Sequence, residues 1–185
     1  MVKKKINVID LDQTLIPYDS YDIYIRWPLY NLLYYLPGVL LIIFRKVRII
    51  SLSTQKKHSI ILNQRINGYH KYVEQFADKI LNDIDDKVLK MVAEETDEAT
   101  INILCTASPY DYAGLLATKL NWECVASHWS NNSNNFIHVY DSNKVSLINE
   151  YYPIIEYDYN FAISDSLRDS SLLAQFKKSI LYNNV

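Results

Sequence analysis

The chain has 185 residues, of which 49% are hydrophobic and 22% charged, close to the average for soluble globular proteins. This length fits one domain with a sizeable core, and the composition excludes a wholly disordered chain. The net charge of -2 gives no argument for nucleic acid as a partner, and two cysteines are too few for a secreted disulfide scaffold. No signal peptide fits the N-terminus, so we expect a cytoplasmic protein.

The predicted elements alternate along most of the chain. A short buried strand over residues 6–9 ends at Asp10, and from about residue 20 to about residue 97 apolar residues recur at helical spacing. Strands are then predicted at 101–105, 123–129, 136–140, 159–163 and around 180, with helices at 110–120, 144–151 and 170–176. A polar run at 130–135 is predicted to join two of these strands.

This pattern predicts an α/β fold: a Rossmann-like, mostly parallel sheet flanked by helices, with an inserted helical cap. The catalytic core is predicted at 1–17 plus 98–185, and the cap at 18–97. Sheets of this kind place their chemistry in the crevice at the carboxyl ends of the strands.

Polar side chains stand at these predicted strand ends. Asp10 and Asp12 leave the first strand one residue apart, and such a pair can supply a nucleophile and a general acid and base. The second strand ends in small hydroxyl residues at 106–109, which can bind a phosphate oxygen. Lys144 can supply a positive charge, and a further acidic pair follows the late strand at 165–169.

Four motifs thus occur in a fixed order: Asp10-x-Asp12-x-Thr14-Leu15, Thr106 after an apolar strand, a lone Lys144, and Asp165-Ser166-x-x-Asp169. In this order they resemble the haloacid dehalogenase superfamily of phosphohydrolases, and within it the phosphoserine-phosphatase-like branch with a helical cap. The resemblance implies a phosphoric monoester hydrolase that uses magnesium (Mg2+) and an aspartyl-phosphate intermediate. The implied substrate is a small phosphorylated metabolite, such as an amino-alcohol or sugar phosphate.

The resemblance also implies roles for the catalytic and phosphate-binding residues. Asp10 attacks phosphorus, while Asp12 protonates the leaving alcohol and then activates the hydrolytic water. Thr106, Ala107 and Lys144 hold the phosphoryl oxygens, and Lys144 also offsets charge around Asp10. These groups suit phosphoryl transfer, which depends on in-line positioning and on stabilisation of negative charge.

A metal site is implied by the same resemblance. The carboxylates of Asp10 and Asp165 and the backbone carbonyl of Asp12 are the implied magnesium ligands, with Asp169 in support. Magnesium prefers oxygen ligands and usually binds through one or two carboxylates plus waters and substrate phosphate.

The remaining residues of interest concern substrate fit. Gln13 and Ser164 stand where the family often has glycine, which tolerates positive φ, so we expect them to affect the loops rather than the chemistry. Tyr18, Asp19 and Ser20 lie where the chain enters the cap and are candidates for contact with the leaving group. Asp19 could pair with a substrate ammonium group, although Asp19 or Ser20 could equally cap a helix.

The stretch 27–44 carries no charge and is bounded by Arg26 and Arg45. Its length of about 18 residues just reaches that needed to span a bilayer. Three interpretations stay open: cap helices packed over the site, an interfacial helix with nearby basic residues on anionic headgroups, and a single span. A span is the hardest to accept, because the chain continues on both sides of it into one catalytic domain.

The insertion also resembles those of bacterial phosphatidylglycerophosphate phosphatases and of small phosphatases in bacterial surface-polysaccharide pathways. The first comparison allows an alternative function, a membrane-associated lipid-phosphate phosphatase with peripheral membrane contact through 27–44. A second alternative is a catalytically silent phosphate-binding module on the same fold. The intact catalytic residues argue against the second, because a binding module does not need a nucleophile and an acid together.

Overall fold

The computed structural model describes residues 3–130 and 135–182. Within these ranges six strands form one sheet: β1 (Lys4–Ile9), β2 (Thr100–Pro109), β3 (Glu123–Trp129), β4 (Phe136–Ile137), β5 (Tyr157–Ser164) and β6 (Lys178–Leu181). Their order across the sheet is β4-β3-β2-β1-β5-β6, and every pair is parallel except β3 and β4. The predicted α/β class with a mostly parallel sheet is confirmed.

Eight α-helices accompany the sheet in the described ranges: α1 (Ser20–Tyr24), α2 (Tyr35–Lys46), α3 (Leu52–Gln64), α4 (Tyr69–Asn82), α5 (Asp86–Glu94), α6 (Tyr110–Leu120), α7 (Ser142–Tyr151) and α8 (Ser170–Leu173). Short 3-10 helices lie at Trp27–Tyr30 and Leu167–Asp169. The first five α-helices all lie between β1 and β2, which is where the sequence predicts a helical insertion.

The central strands are apolar on both faces, as expected for parallel strands covered by helices. Ile6 and Val8 of β1 belong to the core that α7 and α8 cover, whereas Ile9 belongs to the opposite core. This alternation follows from the two-residue period of a strand. The sheet is therefore buried on both sides and holds its end residues in fixed positions.

The helical insertion packs in two different ways. Phe76 of α4 is buried, and its ring meets Tyr112 of α6 edge-on at a centroid distance of 5.0 Å. Val88 of α5 joins the same core. In contrast, α2 packs against α3 and the 3-10 helix at Trp27–Tyr30. Since part of the insertion covers the sheet, the division into a core at 1–17 plus 98–185 and a cap at 18–97 stays a prediction.

The apolar stretch 27–44 is not one helix. After the 3-10 helix, Asn31 adopts an extended backbone and its side chain accepts a hydrogen bond from the amide of Leu33. Helix α2 begins only at Tyr35, with Pro37 in its first turn, where proline is tolerated. No helix in the described ranges is long and apolar enough to cross a membrane.

Three predicted boundaries were wrong. β2 continues to Pro109, well beyond residue 105, and β4 ends at Ile137 because only its first two residues pair with β3. α8 ends at Leu173, and Phe176 packs its ring on Tyr159 from the turn beyond the helix. The apolar spacing of residues 170–176 thus indicated that Phe176 is buried, but it did not show that the helix ends before Phe176. The predicted connection at 130–135 lies mostly outside the described residues.

Candidate active site

Neighbouring strands bring the predicted site residues to one edge of the sheet. Asp10 follows β1, Thr106 lies in the second half of β2, and Asp165 follows β5. β1 lies between β2 and β5 and all three strands are parallel, so their carboxyl ends lie side by side. Strands β2 to β4 extend the sheet on one side of β1, and β5 and β6 extend it on the other, so this edge is the topological switch point of the sheet. A cavity of about 280 Å³ opens there, and Lys144 also lines it.

Lys144 joins two buried carboxylates in this cavity. Its Nζ donates to Oδ1 of Asp10 and to Oδ2 of Asp169, each at 2.7 Å. Helix α7 places the lysine there, on the buried side that also carries Leu147 and Ile148. Since Lys144 and both carboxylates are buried, the three charges are strongly coupled.

Burial has the largest single effect on the pKa values in this cluster. Burial raises the pKa of Asp10 to about 7, even though Lys144 acts in the opposite direction. Burial also raises the pKa of Asp165. For Lys144, burial alone would lower the pKa, but the nearby anionic groups outweigh it and hold the pKa above its usual range. A further cation would therefore be stabilised among these carboxylates.

Thr14 connects the two strand ends. Its Oγ1 lies 3.4 Å from Oδ2 of Asp10 and 3.4 Å from Oδ1 of Asp165, and it accepts a 2.8 Å hydrogen bond from the amide of Asp165. The threonine is fully buried. One hydroxyl therefore holds the two predicted metal-binding carboxylates close to a common point.

Asp12 is held by groups from two separate elements. Its Oδ1 accepts a 2.7 Å hydrogen bond from the amide of Ser20, and its Oδ2 accepts one of 2.7 Å from the hydroxyl of Ser108. Burial raises the pKa of Asp12. The Ser20 hydroxyl lies 3.2 Å from the Ser108 hydroxyl and 2.9 Å from that of Tyr112. Ser20, predicted to touch the leaving group, instead supports Asp12.

The other two leaving-group candidates have different surroundings. Tyr18 donates from its hydroxyl to Oδ2 of Asp83 at 2.7 Å and does not line the cavity. Asp19 does line the cavity, and its Oδ1 also accepts hydrogen bonds from the amides of Tyr21 and Asp22 at the start of α1. Both functions considered for Asp19 are therefore compatible with its position.

The phosphate-binding candidates Thr106 and Ala107 also line the cavity. Oγ1 of Thr106 accepts a 3.0 Å hydrogen bond from the amide of Ser108. The carbonyl of Ala107 accepts hydrogen bonds of 2.7 Å from Nζ of Lys56 and from the hydroxyl of Ser127. These contacts fix the backbone of the last residues of β2.

Sequence reasoning missed four cavity residues: Leu52, Lys56, Tyr140 and Arg168. Lys56 comes from α3 in the insertion, is almost fully buried, and its burial lowers the pKa to about 8. The guanidinium of Arg168 lies over the ring of Tyr140, 5.3 Å from its centroid. A signal for Lys56 existed, because it precedes the buried Ser59 and Ile60 at helical spacing on one face of α3.

Both positions that depart from the family pattern have clear structural effects. Gln13 adopts a left-handed backbone with φ of 60°, a conformation that glycine adopts without the strain that a side chain adds. Ser164 donates from its hydroxyl to Oδ2 of Asp169 at 2.7 Å, and thus helps Lys144 to orient that carboxylate. The serine adds a hydrogen bond that glycine could not make.

The donor set fits magnesium. In the described ranges no group of three or more His, Cys, Asp or Glu side chains is arranged to hold a metal. Magnesium needs only one or two carboxylates, since carbonyl oxygens and waters complete its shell. Asp10 and Asp165 offer oxygen ligands around Thr14, and because burial raises the pKa of both carboxyls, a bound cation would stabilise their ionised forms.

Fold and site together define a Rossmann-like α/β protein with an acid-rich site at the strand ends. The sequence model of the haloacid dehalogenase-like hydrolases matches residues 8–174, and the chain therefore belongs to this family of hydrolases. This match confirms the superfamily that the four sequence motifs resemble. No curated protein sequence matches the chain.

Solved structures share the fold at low sequence identity. A protein with unknown function from Bordetella pertussis Tohama I has a TM-score of 0.72 at 14% identity, covering 96% of this chain and 89% of that one. A phosphoserine phosphohydrolase-like protein from Francisella tularensis subsp. tularensis SCHU S4 has a TM-score of 0.59 at 19% identity, with coverages of 97% and 87%. A phospho-aspartyl intermediate analogue of phosphoserine phosphatase has a TM-score of 0.57 at 11% identity, with coverages of 98% and 95%.

Proposed function

We propose that this hydrolase cleaves small phosphomonoesters with the help of magnesium, through an aspartyl-phosphate intermediate on Asp10. The observation that carries the proposal is the pair of held carboxylates: Asp10 bound to Lys144, and Asp12 bound to Ser20 and Ser108. The two aspartates are therefore anchored in different ways, as a nucleophile and an acid require.

In the first step, an Asp10 carboxylate oxygen forms a bond to phosphorus while the bond from phosphorus to the leaving oxygen breaks. Asp12 donates its proton to that oxygen, so an alcohol leaves. Burial raises the pKa of Asp12, which favours the protonated form that this step needs. Lys144 offsets the charge of Asp10 and of the incoming phosphate.

In the second step, Asp12 removes a proton from a water molecule as the water oxygen bonds to phosphorus. The bond between phosphorus and Asp10 breaks, which restores the carboxylate and releases inorganic phosphate. Thr106 and Ala107 line the same cavity and are proposed to bind phosphoryl oxygens. Rigid support of their backbone by Lys56 and Ser127 preserves that geometry through both steps.

Magnesium would be held by the Asp10 and Asp165 carboxylates and the Asp12 carbonyl, and it would supply positive charge that lets a phosphate dianion approach. Asp169 supports this arrangement through Lys144, to which it is bonded at 2.7 Å.

A small polar substrate fits the cavity better than a bulky one. The cavity measures about 280 Å³, and beyond the phosphate-binding residues its walls carry the charged side chains of Asp19, Lys56 and Arg168. An amino-alcohol or sugar phosphate offers groups that can pair with such side chains, whereas an acyl chain does not.

The test is phosphate release from a panel of phosphomonoesters, with magnesium and with a chelator, for the wild type and Asp10→Asn. Wild-type protein should release phosphate only with magnesium, and Asp10→Asn should lose at least about 1,000-fold in kcat because the nucleophile is gone. Asp86→Asn is the matched control, since Asp86 is an exposed aspartate on α5, and it should keep wild-type activity.

Two results would overturn the proposal: undiminished turnover by Asp10→Asn, or no release from folded wild-type protein across the panel. If inorganic phosphate nevertheless binds in the second case, the chain acts as a silent phosphate-binding module.

A membrane-associated lipid-phosphate phosphatase is the second candidate, and the exposed apolar side chains of α2 favour it. A lysophospholipid phosphate in the same panel separates the two. A higher kcat/KM for that substrate than for every water-soluble ester would select the lipid substrate.

A further inference from the structure

The charges of the chain are distributed very unevenly. Between Asp22 and Glu74 the sequence has 8 of its 19 Lys and Arg residues and none of its 21 Asp and Glu residues. The remaining chain therefore has 11 basic and 21 acidic residues. Although the net charge is only -2, the segment that contains α2 and α3 is strongly basic and the rest of the chain is acidic.

Apolar side chains are exposed on the same segment. On α2 they follow helical spacing along one side, and in the loop before it they are almost fully exposed, with Leu32 at 97%. This exposed apolar surface consists of Tyr30, Leu32, Leu33, Leu36, Leu40, Ile43 and Val47. The buried Gly38 of α2 packs against Pro28 and Leu29, so the two sides of the helix have different surroundings. An accumulation of exposed apolar side chains of this kind marks an interaction site.

Basic side chains lie at the C-terminal end of this apolar row. Arg45 and Lys46 end α2, and Arg48 follows in the next turn beside the exposed Ile49. In the described ranges none of the three basic residues forms an ion pair with an acidic residue. An apolar row with cations next to it matches the two layers of an anionic bilayer surface, acyl chains and headgroups.

A second copy of the chain is a poorer match for this surface. In a symmetric dimer the same patch would face itself, which would bring together two copies of a segment that has 8 basic and no acidic residues. Like charges at such a contact oppose association. Anionic headgroups offer the opposite charge, so charge complementarity selects the lipid surface.

We propose that α2 and the loop before it bind to the surface of an anionic bilayer as a peripheral anchor. The helix lies in the plane of the interface, with the side of Leu36 and Leu40 toward the acyl chains and Arg45, Lys46 and Arg48 at headgroup level. This anchor is separate from the catalytic cavity, whose walls contain no residue of α2.

The experiment is sedimentation of the full chain with vesicles of phosphatidylglycerol and phosphatidylcholine, compared with vesicles of phosphatidylcholine alone. Wild-type protein should bind the anionic vesicles. Binding should weaken when salt is raised from about 0.1 M to about 1 M, because the Debye length falls from about 10 Å to about 3 Å. Equal binding to both kinds of vesicle would overturn the proposed headgroup contact.

Variants test the two layers separately. Replacing Arg45, Lys46 and Arg48 by glutamine should reduce the partition coefficient about 100-fold, from the loss of three cations near an anionic surface. Leu32→Glu combined with Leu33→Glu should reduce it at least about tenfold. Both sets change exposed or half-exposed side chains, so unaltered circular dichroism and thermal unfolding are the check on folding.

The matched control is Ile154→Glu with Ile155→Glu, two exposed apolar residues far along the chain from α2. These changes should leave vesicle binding unchanged. The proposal fails if the control lowers binding as much as the leucine variant does. It also fails if sedimentation equilibrium shows a wild-type dimer that the leucine variant dissociates while neither protein binds vesicles.

Discussion

The ammonium group of Lys144 lies 2.7 Å from carboxylate oxygens of both Asp10 and Asp169, and all three side chains are buried. Removing one charged partner from such a cluster leaves the other charges buried without a counter-charge. The stability lost in this way exceeds the stability that the intact cluster contributed. The lysine is therefore expected to stabilise the fold as well as to bind phosphate.

Lys144→Met should lower the free energy of unfolding by about 3 kcal/mol in the presence of a chelator, because two buried carboxylates lose their counter-charge. Urea denaturation measures this difference. Lys90→Met, at an exposed position of α5, is the control and should change stability by less than about 0.5 kcal/mol. Adding Asp169→Asn to Lys144→Met should restore part of the loss. Wild-type stability in Lys144→Met would contradict this role.

Lys56 presents the opposite case, since within residues 3–130 and 135–182 no carboxylate is bonded to it. Burial lowers its pKa to about 8, below the ordinary value of 10.5. The folded chain therefore binds fewer protons than the unfolded chain between these two values, and stability rises with pH across that window. Below pH 8 the cost of burying the ammonium group is fully present, and it disappears as the pH approaches 10.5.

Lys56→Met removes that pH-dependent cost. In the presence of a chelator, the stability of the variant relative to wild type should therefore fall by about 3 kcal/mol between pH 7 and pH 10.5. Urea denaturation of both proteins at the two pH values gives this difference. Lys57→Met, at the next position of α3, is the control and should show no such trend. A constant difference between Lys56→Met and wild type would refute the assigned burial.

At the level of secondary-structure elements, three asparagines join the central strands. Nδ2 of Asn7 on β1 donates to Oδ1 of Asn102 on β2 at 2.9 Å, and Nδ2 of Asn160 on β5 donates to Oδ1 of Asn7 at 3.0 Å. Both Nδ2 atoms also donate to the carbonyl of Glu95, the residue that follows α5. This network attaches the end of the helical insertion to the central strands β1, β2 and β5.

Asn7→Ala should lower the free energy of unfolding by about 2 kcal/mol, because it removes the hydrogen bonds that Asn7 forms with Asn102, Asn160 and the carbonyl of Glu95. Thermal and urea denaturation measure the change. Asn67→Ala, at an exposed position before α4, is the control and should be close to neutral. Equal stability of the Asn7 and Asn67 variants would show that the network contributes nothing.

The sequence predicted the presence of the strands better than the limits of individual elements. Ile6 to Ile9 is a short apolar run that ends in a polar residue, so the end of β1 is visible, whereas β2 continues past the polar Thr106 to Pro109. In the stretch 27–44 the apolar residues are continuous, and only the backbone of Asn31 and the position of Pro37 decide where α2 begins. Hydrophobicity alone could not locate that break.

At the scale of the whole molecule, the order of the motifs along the chain was enough to predict the sheet and the group of polar residues at its carboxyl edge. Asp10, Thr106 and Asp165 were predicted to meet because parallel strands share one carboxyl edge, and they line one cavity. Lys56 was missed because its spacing with Ser59 and Ile60 indicates a buried side of α3 but not that this side reaches the cavity, and Arg168 was missed because nothing local to it indicates that it lines the cavity. That information lies in long-range packing, such as the contact of Phe76 with Tyr112.

The central position of β1 has a consequence for how the molecule is made. Asn7 lies 95 residues before Asn102 and 153 residues before Asn160, the two partners that flank it in the sheet. Such non-local pairing slows folding. A ribosome that adds about 5 to 20 residues per second needs about 8 to 30 s to deliver the second partner. For most of that interval the nascent chain contains Asp10 but not yet Lys144, and throughout it Asp165 is absent, so the proposed site cannot be complete before β5 pairs with β1.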